Sequence, residues 1–336
     1  MNESKHNLTL PGTGQEISRN RNQLTLKARK NLGVTVGLDY DGDGIQAAML
    51  TSDRKGVIHI EALETVTGDF SSQEELTEGL IRIRELLPSS LKQNFVSCLR
   101  GKDIYAAQIP FRKLPPSEME SALKFELRKY LPFDIETAVI DYQFLDSEKK
   151  DGLNISMMIT AADRDLLDYH LRCMSKAGIR PKTVDILPLA TANAFWALYS
   201  QSAGRHAHII LHLGQGICTL VIVSNHSPFF FRNIYVNGQD PSSPARGTIR
   251  NQSLDDPDLF GDEIERSMAF YMKTYQISDF YGIHLTGKYS NSGVEEVLRR
   301  KTSLEVVQLN LCGQCGYDVT GGSGKFDIPL ALALRG

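Results

Sequence analysis

Between Gly37 and Gln46 the sequence reads Gly-Leu-Asp-Tyr-Asp-Gly-Asp-Gly-Ile-Gln. Asp39, Asp41 and Asp43 alternate, and Gly42 and Gly44 break the run. Alternate carboxylates beside a sharp-turn glycine form the first half of a calcium loop, in which oxygen ligands wrap one hard cation. That chemistry also needs a bidentate Glu at the twelfth position, and counting from Asp39 this residue is Leu50. The flanks exclude it too. Val34, Val36 and Leu38 alternate as a half-buried strand does, where an entering helix is required. Ile45, Ala47, Ala48, Met49 and Leu50 are too apolar for a metal cage and read as a second strand. The segment is therefore a strand, a glycine turn and a strand, a device that can hold phosphate.

The same device recurs. Ile209 to Val223 reads strand, turn and strand around Gly214-Gln215-Gly216. Glycine lets backbone N–H groups approach phosphate oxygens, and an Asp at a strand end manages magnesium and water. Leu285-Thr286-Gly287 then supplies a third strand-to-turn segment. Other candidate chemistry is weaker. Cys312-Gly-Gln-Cys315 has metal-like spacing, but a tetrahedral zinc needs two further ligands and the chain has no second Cys pair. It reads as a reduced turn. His170 lies on an apolar helical stripe and reads as a core or boundary histidine.

The elements that must carry these turns follow from periodicity. Strand-like segments at Val57 to Leu63, Phe95 to Leu99 and Ile104 to Ile109 surround a helix from Glu74 to Leu87. Ser117 and Glu120 suggest a capping box for a helix bearing Met119, Leu123 and Leu127, ended by Pro132. Strands at Ala138 to Phe144 and Ile155 to Thr160 follow. A helix opened by Asp163 stops at Gly178, and a further helix spans Leu189 to Leu198. The second half repeats strands, then a helix between Phe260 and Tyr275, and ends in the apolar run Leu330 to Leu334. Strands alternating with helices predict an α/β protein.

Composition excludes several classes of function. The 336 residues carry a net charge of −3, so no global charge recruits nucleic acid or an anionic membrane. No apolar run is long enough to span a bilayer, and no hydrophobic signal core opens the chain. A cytoplasmic location is expected, with any membrane association arising through a partner. Five scattered cysteines do not suggest a disulfide framework. The polar first 32 residues, without apolar periodicity, read as a disordered arm.

Ile109-Pro110, Leu114-Pro115, Glu126 to Phe133, Asp141-Tyr142, Ala161-Ala162, Ala177 to Pro181, Val184-Asp185, Leu189-Ala190, Phe231 to Ile234 and Ala331 to Arg335 occur in an order that resembles the PilM family. Members of this family are actin-like components of type IV pilus assembly. The resemblance covers roughly residues 34 to 336. It implies an actin-like α/β fold of duplicated ribonuclease-H-like domains with an FtsA/PilM-type inserted subdomain. The implied division is an arm at 1–32, a first domain at 33–200 with an insert at about 100–160, and a second domain at 201–336. The implied partner is the cytoplasmic tail of a PilN-like single-span inner-membrane protein, bound at a groove between the insert and the first domain. Self-association stays open; nucleic acid and direct membrane insertion are not expected. The implied cofactor is ATP with magnesium. Its retained contacts would be Asp39, Gly42 and Gly44 on the first clamp, Gly214, Gly216 and Thr219 on the second, and Gly287 at the third site.

The departures from the family pattern fall on these same turns. Asp41 stands where the family has glycine, Gly42 where it has serine, and Gln46 where it has lysine. At an effective dielectric of about 20, one added carboxylate at ~4 Å from a phosphate costs on the order of 4 kcal/mol before screening. His212 replaces the Asp of the second clamp and can neither attract hydrated magnesium nor act as a carboxylate base. Gly287-Lys288-Tyr289 replaces a paired glycine and would crowd an adenine. The expected molecule is a scaffold with weak or lost ATPase activity, with no catalytic residue assigned and no metal site. An active PilM-type ATPase and an FtsA-like filament protein are the alternatives. The latter ends in a basic amphipathic helix, which the Leu330 to Gly336 run does not resemble.

Overall fold

The computed structural model describes residues 33–53, 58–88, 93–112, 114–145, 154–199, 206–225, 229–235, 257–290, 293–315, 317 and 324–335, with three strands before them. Those strands, β1 (His6–Thr9), β2 (Glu16–Asn20) and β3 (Gln23–Lys27), pair antiparallel in sequence order. A disordered arm was expected here. The period-two alternation of Leu24-Thr25-Leu26 is compatible with a strand, despite the polar composition around it.

The chain then runs through β4 (Val34–Asp41), β5 (Gly44–Ser52), β6 (Ile58–Thr67), α1 (Gln73–Leu86) and β7 (Gln93–Leu99). Next come β8 (Ile104–Arg112), α2 (Pro116–Leu127), β9 (Ala138–Phe144), β10 (Asn154–Asp163), α3 (Arg164–Lys176), β11 (Pro181–Ile186) and α4 (Leu187–Tyr199). The second half holds β12 (Ala207–Leu213), β13 (Ile217–Val223), β14 (Phe230–Tyr235), α5 (Pro257–Tyr275), β15 (Phe280–Thr286), α6 (Val294–Thr302), β16 (Glu305–Gln308), α7 (Leu311–Gln314) and α8 (Asp327–Arg335).

Two five-stranded sheets share one topology. The first is ordered β6-β5-β4-β7-β11 and the second β14-β13-β12-β15-β16. In each, a hairpin and a third strand run antiparallel on one side. On the other, parallel strands reached by crossover connections extend the sheet. The hairpin register Asp41↔Gly44 leaves only Gly42 and Asp43 in the first turn, where a tight two-residue connection favours glycine. Residues between β7 and α3 form a separate three-stranded sheet, β8-β10-β9, with Met119, Leu123 and Leu127 of α2 buried against Met157 and Ile159.

The two large sheets meet through α4 and α8. One apolar cluster joins Ala48 and Leu50 of the first sheet to Ile210 and Val221 of the second, through Phe195 of α4 and Leu330 of α8. The C-terminal apolar run is thus a buried helix, as its composition predicts. It lies so close to β4 that a Cβ at Gly37 would sit 1.8 Å from the Pro329 carbonyl oxygen.

Caps were partly legible. Asp163 caps α3 by accepting from the Asp165 N–H, and Gly178 beyond its end has φ +72°. The capping box expected at Ser117 is absent: α2 starts at Pro116 with Pro115 as its cap, so Ser117 already lies inside the helix. Proline at the first helical position needs no N–H partner and presets φ, which moves the start upstream. A capping box does occur at Ser72 and Glu75, where it opens α1. No helix among the described residues is long and apolar enough to cross a membrane.

Candidate functional site

The two hairpin turns face one another, and the turn after β15 closes beside them. A cavity of about 400 Å³ lies there, walled by Tyr40, Phe70 and Tyr169 on one side and His212, Gly214 and Thr219 on another. Gly42 and Gln215 nearly touch across it: a Cβ at Gly42 would meet Gln215 Oε1 at 2.2 Å.

Carboxylates and cations of this cleft are engaged with one another. Arg100, just beyond the end of β7, donates to Asp39 and, at 3.4 Å, to Asp41. The Gln215 backbone N–H of the second hairpin donates to Asp41 Oδ2 at 3.3 Å. Lys288 Nζ lies 2.5 Å from Asp43 Oδ2, which also accepts from the Tyr289 hydroxyl. Cys98 Sγ donates to Asp39 Oδ1 at 3.3 Å.

Charge states follow from these contacts. Burial pushes the Asp41 carboxyl up to about 6, against the pull of Arg100. Burial acts the same way on Asp43, but its interactions with Asp41, Lys288 and Tyr289 outweigh it and hold that carboxyl below the usual range. Arg100 is raised: burial works against its charge, and Asp39 and Asp41 more than offset the penalty. His212 is buried and lowered to about 4 by that burial and then by Arg100, so it is a neutral imidazole and a weak base at pH 7.

The residues anticipated for nucleotide separate into two groups. Gly42, Gly214 and Thr219 line the cavity. Asp39, Gly44, Gly216 and Gly287 are not in its lining, and each has a local role. Asp39 is buried on Arg100. Gly44 closes the first turn opposite Asp41. Gly216 has φ +70°. Gly287 has φ +94° and no room for a Cβ, which would lie 2.6 Å from the Leu213 carbonyl oxygen. Thr219 spends its hydroxyl on Asn233 at 2.9 Å. Sequence reading missed Arg100 and Gln215 as participants. Arg100 stands 61 residues from Asp39, and no local pattern announces the pairing.

Among the described residues no group of three or more His, Cys, Asp or Glu is placed to hold a metal ion. Cys312 and Cys315 are free thiols, raised to about 12 and about 11 by burial first and then by Asp327.

A family model described as type IV pilus assembly protein PilM matches residues 37–242. The chain belongs to that family. The fold agrees: a structure titled as a PilM-PilN type IV pilus biogenesis complex superposes with a TM-score of 0.70 at 20% identity, covering 90% of this chain and 98% of that one. A Bacteroides thetaiotaomicron protein described as having an actin-like ATPase fold and unknown function superposes with a TM-score of 0.51 at 11% identity, over 90% of this chain and 95% of that one. The duplicated sheets are therefore the two halves of an actin-like PilM fold.

In this PilM chain several groups of the cleft already have partners within the chain. Among the described residues of the cavity lining Arg100 is the one formal cation, and it donates to two of the chain's own carboxylates. Asp41 takes an N–H of the second hairpin, and the end of the Gln215 side chain lies over Gly42. Gln46 is buried with Nε2 unpaired.

Proposed function

We propose that this protein is an actin-like scaffold of the type IV pilus inner-membrane assembly platform. It binds the cytoplasmic tail of a PilN-like single-span membrane protein and is held at the inner membrane through it. ATP turnover is weak or lost. Membership of the PilM family carries the pilus assignment, and the likeness to the PilM-PilN complex supports the partner. The silent cleft rests on one observation: Asp41, in the cavity lining, is already paired with Arg100 and the Gln215 N–H, the donors that a phosphate there would need.

Two titrations of the full chain test this reading. A synthetic peptide of the partner's cytoplasmic tail should bind saturably by calorimetry, with one peptide per chain. Magnesium ATP at ~100 times its Kd would raise stability by about 2.7 kcal/mol if the site were open. Millimolar magnesium ATP should instead leave the melting temperature unchanged and release no phosphate. Stabilisation together with hydrolysis would establish the active-ATPase alternative and end the scaffold reading.

A further inference from the structure

Three turns that belong to different parts of the sequence converge on two side chains. Asp41 connects the first clamp to the second through the Gln215 N–H, and to β7 through Arg100. Asp43 connects the first clamp to the turn after β15 through Lys288 and Tyr289, which lie more than 240 positions away. Both aspartates are partly buried, with side-chain exposures of 13% and 24%. Their donors are an N–H aimed across the cleft, a guanidinium, an ammonium and a hydroxyl. That donor set suits an oxyanion, because charge-assisted bonds to anionic oxygen are stronger than neutral ones.

The positions of the charges are also complementary. A Cβ at Gly44 would lie 2.5 Å from Gln46 Nε2 and 3.7 Å from Lys288 Nζ. The Lys288 ammonium thus reaches the first hairpin close to the Gln46 amide, although it arrives from the opposite side of the cleft. Cation and anion have been supplied together from within one chain.

We infer that Asp41 and Asp43 act as a built-in anion for this cleft, occupying the donors of Gln215, Arg100, Lys288 and Tyr289 and latching the three turns together without a ligand. This deepens the silent-cleft reading and rests on it. The base of the molecule is already fixed by the apolar cluster around α4 and α8, so the latch controls the mouth of the cleft and leaves the global fold to that cluster.

Amide hydrogen exchange on the full chain tests the latch. Asp43→Asn and Lys288→Gly should each speed exchange at residues 41–45 and 287–290 by on the order of tenfold, the effect of losing one partly exposed ion pair and weakening one charge-assisted bond. The strand interiors of β12 and β15 should stay protected. The reversed pair Asp43→Lys/Lys288→Asp should return exchange to within about threefold of the original. Asp41→Gly/Asp43→Ala should open the turns, and sodium tripolyphosphate should restore their protection in that variant while leaving the original chain unchanged. If the double variant does not fold, Lys288→Gly and the reversed pair decide alone. Unchanged exchange in Lys288→Gly, no recovery in the reversed pair, or no response of the folded double variant to tripolyphosphate would overturn the latch. Failure of the scaffold reading looks different: magnesium ATP would then protect the unaltered chain.

Discussion

Alanine at position 37 should lower stability by about 3 kcal/mol. Gly37 lies within β4, two residues before Asp39, and its added Cβ would sit 1.8 Å from Pro329 O and 2.7 Å from Ala333 N. Both are backbone atoms of α8, so no side chain can swing aside. Ordinary contact begins near 3.4 Å, and α8 or β4 must give way by most of the difference. Overpacking that side chains can absorb costs ~1–3 kcal/mol, and a backbone obstacle belongs at the upper end. Complete detachment of α8 would be far worse. Ile328, Leu330, Leu332 and Leu334 are each 1% exposed. Exposing them fully would cost ~1.5–3 kcal/mol apiece, a sum comparable with the whole stability of a typical domain. The helix should therefore slide and stay docked. Trp196, the single tryptophan, packs against this cluster from α4 and reports the loss. Urea unfolding followed by its fluorescence gives the measurement. Gly33→Ala is the control: its Cβ would meet only Asn94 Nδ2 at 3.6 Å, and it should stay within about 0.5 kcal/mol of the original chain. A Gly37→Ala protein equally close to the original would refute the reasoning about α8.

Three further outcomes follow from the buried polar groups and the cleft. Asp327 is fully buried, accepts from the Leu311 N–H and the Thr286 hydroxyl, and is pushed well above the carboxylate range by burial. Asp327→Asn, which keeps an acceptor at the site, should change the melting temperature little, whereas Asp327→Ala should cost about 2–3 kcal/mol by orphaning the Leu311 N–H and leaving the Thr286 hydroxyl only Gly324 O at 3.4 Å. Equal damage from the two would show that both carboxyl oxygens are needed. His170, hydrogen-bonded to Tyr40 and Ser97, is lowered to about 4 by burial. Its folded value lies below the unfolded ~6.5, so its stabilising contribution is complete above that value and is lost as pH falls toward 4, by about 2 kcal/mol at pH 5. Buried Asp185 and Asp327 are raised and act in the opposite sense, so the diagnostic quantity is a difference. Between pH 7 and 5 the stability of His170→Asn should fall by about 2 kcal/mol less than that of the original chain, and parallel profiles would contradict this. Finally, the latch should weaken with salt, because Lys288 and Asp43 are partly exposed: raising sodium chloride from about 0.1 to about 1 M should speed exchange at 287–290 in the original chain and not in Lys288→Gly.

Much of the architecture was legible because it is written at short range. Val34, Val36 and Leu38, then Ile45 and Ala47, fix a hairpin by alternation, and Leu50 at the place of a required Glu removes calcium from consideration. The glycine-centred turns, the Gly178 stop of α3 and the burial of Leu330 to Leu334 follow from the same local rules. The Ser117 cap failed at that level because serine and proline compete within two residues of one helix start.

What the sequence determined by itself was a duplicated glycine hairpin in an α/β frame, with carboxylates where a phosphate site would hold few. It also marked Lys288 and Tyr289 as misplaced for an adenine. Only the tertiary structure decided that these two sets of departures answer one another. Periodicity and turn chemistry act over a few residues, whereas Asp43 meets Lys288 at a separation of 245 and Asp39 meets Arg100 at 61. Such pairs form only once two sheets and the helices between them have brought the turns together. A carboxylate that looked repulsive toward a ligand is, in the folded chain, the partner of a cation supplied from across the cleft.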